Sequence, residues 1–298
     1  MKKFLLLLVF VSFLPSAQVN RFIYEYKFIP DSTKRDEVKT EMMLLDISKE
    51  GSKYFSHEKF VADSLVKADV DRQIAAGSNN ININRSHKEA QVNYSVEKVY
   101  PDFEVFLLER ISMDNYKIEE SEVPQWKILP ETQQIGAYKA QKATTDFGGR
   151  SWTAWFAAAL PFQDGPYKFY GLPGLIVKVE DSTLSHIMSL VGNKSIANTF
   201  STDFTLPSRA QSSGIDGKSI AVNEEQFKKL WSDYLRDPAK NIRELMMKNS
   251  ADSKVVIKMK TSDGRELSEM NEIYRNMEKR VKENAKANNN RIEPDLYR

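Results

Sequence analysis

Residues 165–181 read Gly-Pro-Tyr-Lys-Phe-Tyr-Gly-Leu-Pro-Gly-Leu-Ile-Val-Lys-Val-Glu-Asp. The dipeptides Gly165-Pro166 and Pro173-Gly174 frame an aromatic run, and Leu175, Val177 and Val179 then share one face of an apolar segment. A period of two marks a β-strand, and paired glycine and proline mark turns. The stretch predicts a corner that feeds a strand and sets its register. Pro173-Gly174 is expected to form a type II turn with Gly174 at positive φ. The spacing fits neither GxxxxGK[ST] nor GxGxxG, and a strand follows where those motifs open a helix. There is thus no helix N-terminus here to hold a phosphate.

Immediately upstream, residues 135–145 and 150–160 predict a hairpin turned through Asp146-Phe147-Gly148-Gly149. Trp152, Ala154, Phe156, Ala158 and Leu160 fall on one face of its second strand, and Thr153, Trp155, Ala157 and Ala159 on the other. A strand apolar on both sides is covered on both. Residues 21–29 place Phe22, Tyr24, Tyr26 and Phe28 together, and 42–47 and 53–55 add further strands. Residues 92–100 put Val92, Tyr94, Val96 and Tyr100 on one side, and 103–111 are the expected antiparallel partner after Pro101. Residues 59–76 read as weakly helical, 119–122 as an acidic connector, and 186–191 as another strand.

Beyond about Ser195 the character changes. Residues 196–219 form a polar connection. Asn223 and Gln226 have the spacing of a capping box, ahead of a stripe of Phe227, Leu230, Trp231, Tyr234 and Leu235. A short helix with Ile242, Leu245 and Met246, a strand over 254–261, and a last helix carrying Leu267, Met270, Tyr274, Met277 and Val281 complete the reading. The expected fold is α+β: a predominantly antiparallel, curved sheet with C-terminal helices packed on it, similar in outline to lipoprotein-carrier half-barrels. The expected divisions are a signal peptide over 1–18, a β-rich domain over 19–195, a mixed helical and strand part over 196–287 on the same core, and a flexible tail over 288–298.

Met1-Lys2-Lys3 is a basic start, residues 4–14 an apolar run, and Pro15-Ser16-Ala17-Gln18 a cleavage region. The run is too short to span a bilayer, and no later stretch approaches ~18 consecutive apolar residues. The mature chain is expected in the periplasm or released, without a transmembrane segment. Removing Lys2 and Lys3 from the 43 basic residues leaves 41 against 41 acidic ones. That balance argues against a nucleic-acid binder that works by phosphate neutralisation. The chain has no cysteine, which removes thiolate chemistry and disulfides alike.

Catalytic patterns are sparse. Histidine occurs at His57, His87 and His186, with no HExxH and no GxSxG. Ser56 with Lys59 and Ser64 with Lys67 match a Ser-Lys spacing common in any chain rich in both. Met259, Met270 and Met277 read as core rather than as soft-metal ligands. No metal and no cofactor is expected. An enzyme reading rests on a carboxylate and histidine cluster of Asp164, Glu180, Asp181 and His186 near the opening stretch, as in a periplasmic hydrolase.

Through Gly165 to Ile176, and above all Gly171-Leu172-Pro173-Gly174-Leu175-Ile176, the chain resembles the GLPGLI family of exported proteins from Gram-negative bacteria, which is named after that hexapeptide. The likeness extends through Gly149 to Phe156 and Leu160-Pro161, and covers roughly residues 94–192. Where such proteins often carry Tyr-x-Cys-x-Lys-Ala, Ala140 replaces the cysteine. The resemblance implies an envelope role, near outer-membrane transporters, and no reaction. The expected function is to bind an apolar ligand or a transporter-associated partner, or to serve as a structural envelope subunit. The positions expected to form the binding or structural loop are Trp152, Trp155, Tyr167, Phe169, Tyr170, Gly171, Pro173 and Gly174, with Tyr24 and Tyr94 on the same aromatic face. Trp152 and Trp155 should point to opposite faces. Gly174→Val should destabilise, and Asp164→Ala should barely matter.

Overall fold

Alternating burial builds the sheet. The computed structural model describes residues 18–77, 90–197, 219–249, 259–260, 266–267 and 269–298. In β1 (Gln18–Phe28), Phe22, Tyr24 and Tyr26 enter the core while Glu25 and Lys27 pair on the opposite face. β2 (Lys39–Ile47) is buried from Met43 on and β3 (Gly51–Ser56) throughout, while the same alternation runs through β4 (Ser95–Val99), β5 (Glu104–Ile111) and β6 (Asp114–Glu119). β7 (Lys127–Ile135) is largely exposed, alternation returns in β8 (Tyr138–Phe147), β9 (Arg150–Ala157) and β10 (Leu175–Asp181), and β11 (His186–Ala197) and the mostly exposed β12 (Ile220–Asn223) complete the set. The twelve strands form one sheet in the order β12-β6-β5-β4-β3-β2-β1-β11-β10-β9-β8-β7. Every neighbouring pair is antiparallel except β12 with β6. The α+β class expected from the sequence holds.

Hairpins account for most of this order, and one long-range pairing, β1 with β11, joins the two halves along the whole of β1. The predicted pairing of β4 with β5 is present, as is that of β8 with β9. Strand β6 was not anticipated. Its two inward residues, Tyr116 and Ile118, are too few to register as a period.

Among the described residues four helices lie outside the sheet: α1 (His57–Ala75), α2 (Glu224–Arg236), α3 (Lys240–Asn249) and α4 (Met270–Ala287). Ser56 caps α1 by accepting from the Lys59 amide at 3.1 Å. Helix α1 lies against the outer face of β2 and β3, where Phe60 meets Phe55 and Arg21 stacks over both rings. Helix α2 has the predicted capping box, Asn223 and Gln226 each accepting the other's backbone amide, and buries Phe227. Helix α4 differs from its predicted stripe. Leu267 lies before it, in the short ribbon of β13 (Met259–Lys260) and β14 (Glu266–Leu267), and Ile273 is its buried residue. All of the proposed signal segment except Gln18, most of the polar connection over 196–219, and most of the strand predicted over 254–261 lie outside the described residues.

The two tryptophans divide as their spacing requires. Trp152 is buried in the main core with Ala154 and Phe156. Trp155 is half-buried on the other face, over the small cluster of Ala140, Ala157 and Val177. Trp155→Ala is therefore expected to cost only about 1–2 kcal/mol, the share of a large side chain that is actually removed from water. Urea denaturation measures this, and a loss beyond about 3 kcal/mol would mean that the outer face is a second core.

The C-terminus corrects the sequence reading. Residues 288–298 do not fray: Ile292 and Leu296 are buried, and a 3-10 turn (Pro294–Tyr297) ends the chain. The asparagines read as tail composition are structural. The Asn290 amide donates to the Pro30 carbonyl at 2.9 Å and its side chain to Ile29 at 2.8 Å, while Asn289 donates to Asp31 at 3.0 Å.

Candidate functional site

The loop between β9 and β10 turns inward and fills the inner face of the sheet. Phe169 lies at the centre of an aromatic cluster, with ring centroids 4.8 Å from Trp152, 5.7 Å from Phe147 and 6.0 Å from Trp126. Tyr167 is buried edge-on to Tyr94 at 5.4 Å and adopts the left-handed conformation at φ 56°. A bulky residue is held there only when its surroundings over-determine it. Tyr24, also buried, donates its hydroxyl to the Ile176 carbonyl at 2.7 Å. The aromatic face is thus occupied by the protein's own loop. Trp152, Tyr167 and Phe169 belong to the core and present no open surface, which corrects the expectation of an exposed aromatic face.

Tyr170, Gly171 and Pro173 lie further out, while Gly174 is buried against the end of β9. The Tyr170 carbonyl accepts from the Trp126 indole at 2.7 Å, and its ring stacks flat on Phe103 at 4.8 Å. Gly171 is exposed at φ 90° with open space around it, and Pro173 is exposed. The Gly174 amide donates to the Leu172 carbonyl at 2.8 Å, so Pro173 is the centre of a three-residue γ-turn and not of a type II turn. The Leu175 amide is instead taken by Leu160 at 3.0 Å.

Two buried lysines clamp this loop. Lys98 on β4 and Asp164 at the loop's start are each 1% exposed and pair at 2.5 Å. Lys98 also donates to the Gly165 carbonyl at 2.7 Å, and the Tyr100 hydroxyl donates to the other Asp164 oxygen. Burial pushes the Lys98 ammonium below its usual value, against the pull of Asp164. Lys168, within the aromatic run, donates to Glu120 and, at 2.9 Å, to Glu293. None of these lysines was picked out from the sequence. A signal was present for one: Lys98 continues the period of Val92, Tyr94, Val96 and Tyr100, on the apolar face.

The carboxylate and histidine cluster is not a single constellation. Asp164 belongs to Lys98. Glu180 pairs with Lys178 at 2.8 Å, away from the core. Asp181 receives Arg150 at 3.0 Å and the backbone amide of His186 at 2.8 Å. The His186 ring is buried, with Nδ1 2.7 Å from the Tyr26 hydroxyl, and burial together with Arg150 pushes it down to about 3. It is a neutral core histidine at neutral pH, and it bonds to Asp181 through its backbone rather than its ring. Among the described residues no group of three or more His, Cys, Asp or Glu is disposed to hold a metal ion. No helix among them is long and apolar enough to cross a membrane.

An open cleft of about 400 Å³ lies beside the loop, at the end of the sheet. Tyr100, Phe103, Pro161, Phe162 and Ile47 form its apolar wall, and Asn20, Ser48, Lys49 and Gln163 its polar one. Phe103 connects cleft and loop, since it packs on Tyr100 at 4.6 Å and on Tyr170. Phe162 is braced edge-on by Phe22 at 5.2 Å. Of the loop residues singled out in the sequence, Tyr170 alone reaches this assembly through a ring contact among those described. Phe103, read as the start of the strand over 103–111, lies instead in the turn before β5, and Phe162 was missed because it sits singly in a turn.

No curated protein matches the chain in sequence. Two solved structures of PNGF-II, in space groups P21 and C2, are similar in fold at 14% identity. The first overlaps 72% of this chain and 33% of its own at a TM-score of 0.44, and the second 70% and 31% at 0.41. The chain thus spans about a third of the length of the PNGF-II chains it resembles. A family model described as a protein of unknown function (Porph_ging) matches residues 149–178, the segment that starts at the β8–β9 turn and contains Gly171 to Ile176.

Proposed function

We propose that this is an exported, non-catalytic binding protein of the GLPGLI type, which takes an apolar ligand in the cleft between Tyr100, Phe103 and Phe162. The observation that carries the reading is the cleft itself: aromatic walls on one side and a polar rim on the other, in contact with the loop through Phe103. Concave sites with a largely apolar wall and a few polar groups are the usual form of small-molecule pockets. Aromatic side chains there offer area at low entropic cost. The buried Lys98–Asp164 pair stands behind the cleft as a brace, with Tyr100 joining the two. Export rests on the order of charged, apolar and small residues in the first eighteen positions. Trp155, half-buried on the outer face over Val177, favours a second reading in which that face meets an envelope partner such as a transporter-associated protein.

The test is titration of the purified mature chain with an apolar fluorescent dye such as N-phenyl-1-naphthylamine. Phe103→Ala and Phe162→Ala should each weaken binding by about tenfold, the effect of one well-buried aromatic contact. Trp155→Ala should leave it unchanged. Dye affinity that falls with Trp155→Ala and not with the cleft variants would move the site to the outer face.

A further inference from the structure

The turn Gly148-Gly149 between β8 and β9 is a seat for the C-terminal segment. Both glycines take positive φ, 59° and 83°. A Cβ at 148 would stand 2.4 Å from Cγ of Glu293, and one at 149 would stand 2.6 Å from the Asp295 carboxylate. Arg150 closes over the seat: its guanidinium donates to the backbone carbonyls of Arg291 and Ile292 and, at 2.7 Å, to the Asn290 side chain. Lys168 reaches Glu293 from the loop.

The charge arrangement at this seat is uneven. Glu120 and Glu293 share the single ammonium of Lys168, all three buried. Oε1 of Glu293 is buried without a hydrogen-bond partner. From α2, Glu224 brings a third carboxylate towards Glu120, with the Tyr170 ring on the loop side and Tyr167 beside Glu293. Carboxylates this close in a buried site cannot all ionise freely. Burial, then the Glu293 charge, raises Glu120 to about 7, against the pull of Lys168.

We propose that Gly148–Arg150 and Lys168 form a docking site for an acidic peptide segment, filled here in cis by residues 290–297 and vacated as Glu120 ionises. The direction follows from proton linkage. With Glu293 docked, Glu120 holds its proton more firmly than with Glu293 gone. The docked state is therefore favoured below about pH 7 and loses ground as pH rises through it. A vacated site presents the Arg150 guanidinium, the Lys168 ammonium and an open glycine turn, which suit a carboxylate-bearing peptide from another chain.

The absence of cysteine allows a single nitroxide on the full chain at the exposed position Arg298→Cys. Spectra at pH 6 should show an immobilised label. At pH 9 the ratio of mobile to immobile label should rise about tenfold, the effect of one pKa unit of linkage, with the far-UV circular dichroism of the sheet unchanged. Glu120→Gln, neutral throughout, should stay immobilised at both pH values, and Gly149→Val should be mobile at both. The proposal is overturned by a wild-type label equally immobile at pH 6 and 9. A Glu120→Gln variant that repeats the wild-type shift, or label release that coincides with loss of the sheet, would overturn it as well.

Discussion

Asp164→Ala is expected to lower stability by about 3–5 kcal/mol, the cost of leaving a buried charge without its partner. Sequence reasoning placed this aspartate in a carboxylate and histidine cluster and gave its removal little effect on stability. In the fold it is 1% exposed and accepts from Lys98, Tyr100 and the amide of Gly165, the last at 2.6 Å. Alanine strips all three donors of their acceptor at once. Lys98 keeps only the Gly165 carbonyl, and since burial already disfavours its charge, it would give up its proton or pull the loop open. Urea unfolding followed by tryptophan fluorescence measures the loss directly. The double variant Lys98→Met/Asp164→Asn separates charge from packing. It removes the ion but leaves an amide oxygen for the Tyr100 hydroxyl, so it should recover to within about 1–2 kcal/mol of wild type. A midpoint for Asp164→Ala equal to that of wild type would mean that the pair is not closed off from water.

The contrast between that aspartate and its surroundings shows what the sequence reveals and what it hides. Strands β1, β2, β5, β9 and β10 are legible because each carries three or more apolar residues at positions of a two-residue period. The opposed directions of Trp152 and Trp155 follow from spacing alone. Helix α2 is legible because its cap and stripe are local. What escaped is whatever depends on a partner far along the chain. Lys168 reads as a solvated charge until Glu120 and Glu293, 48 and 125 positions away, meet it. Asn289 and Asn290 read as a frayed end until Asp31 and the end of β1 accept their hydrogen bonds. Local pattern cannot report such satisfaction, because a buried polar group is stabilised by geometry and not by composition. The cleft suffers the same limit. Its aromatic walls come from two separate segments, the turn holding Tyr100 and Phe103 and the loop holding Phe162, and no local period brings them together.

Gly174→Val should be the most damaging single substitution in the opening stretch, with an expected loss of about 4–6 kcal/mol from backbone strain and overpacking together. The residue is buried at φ 151°, where L side chains are rare. A Cβ there would lie 2.4 Å from the Ala157 carbonyl oxygen, 2.7 Å from its carbon and 2.8 Å from the Ala158 Cα. These are main-chain atoms of β9 at the point where Ala157 pairs with Leu175, so no rotamer change can relieve the contact. The end of β9 and the start of β10 must separate, and the Leu175 amide would lose its bond to Leu160. Gly171 supplies the control. It too has positive φ, at 90°, but meets nothing within 4 Å, so Gly171→Ala should cost only about 1 kcal/mol, the conformational term alone. Thermal and urea unfolding of the two variants tests the difference. Equal small losses would show that β9 and β10 can part at this corner without penalty, and that the chain tolerates a looser path into the strand. A large loss at 174 with a small one at 171 would assign the two glycines of the hexapeptide different tasks: one permits a turn, and the other lets two backbones touch.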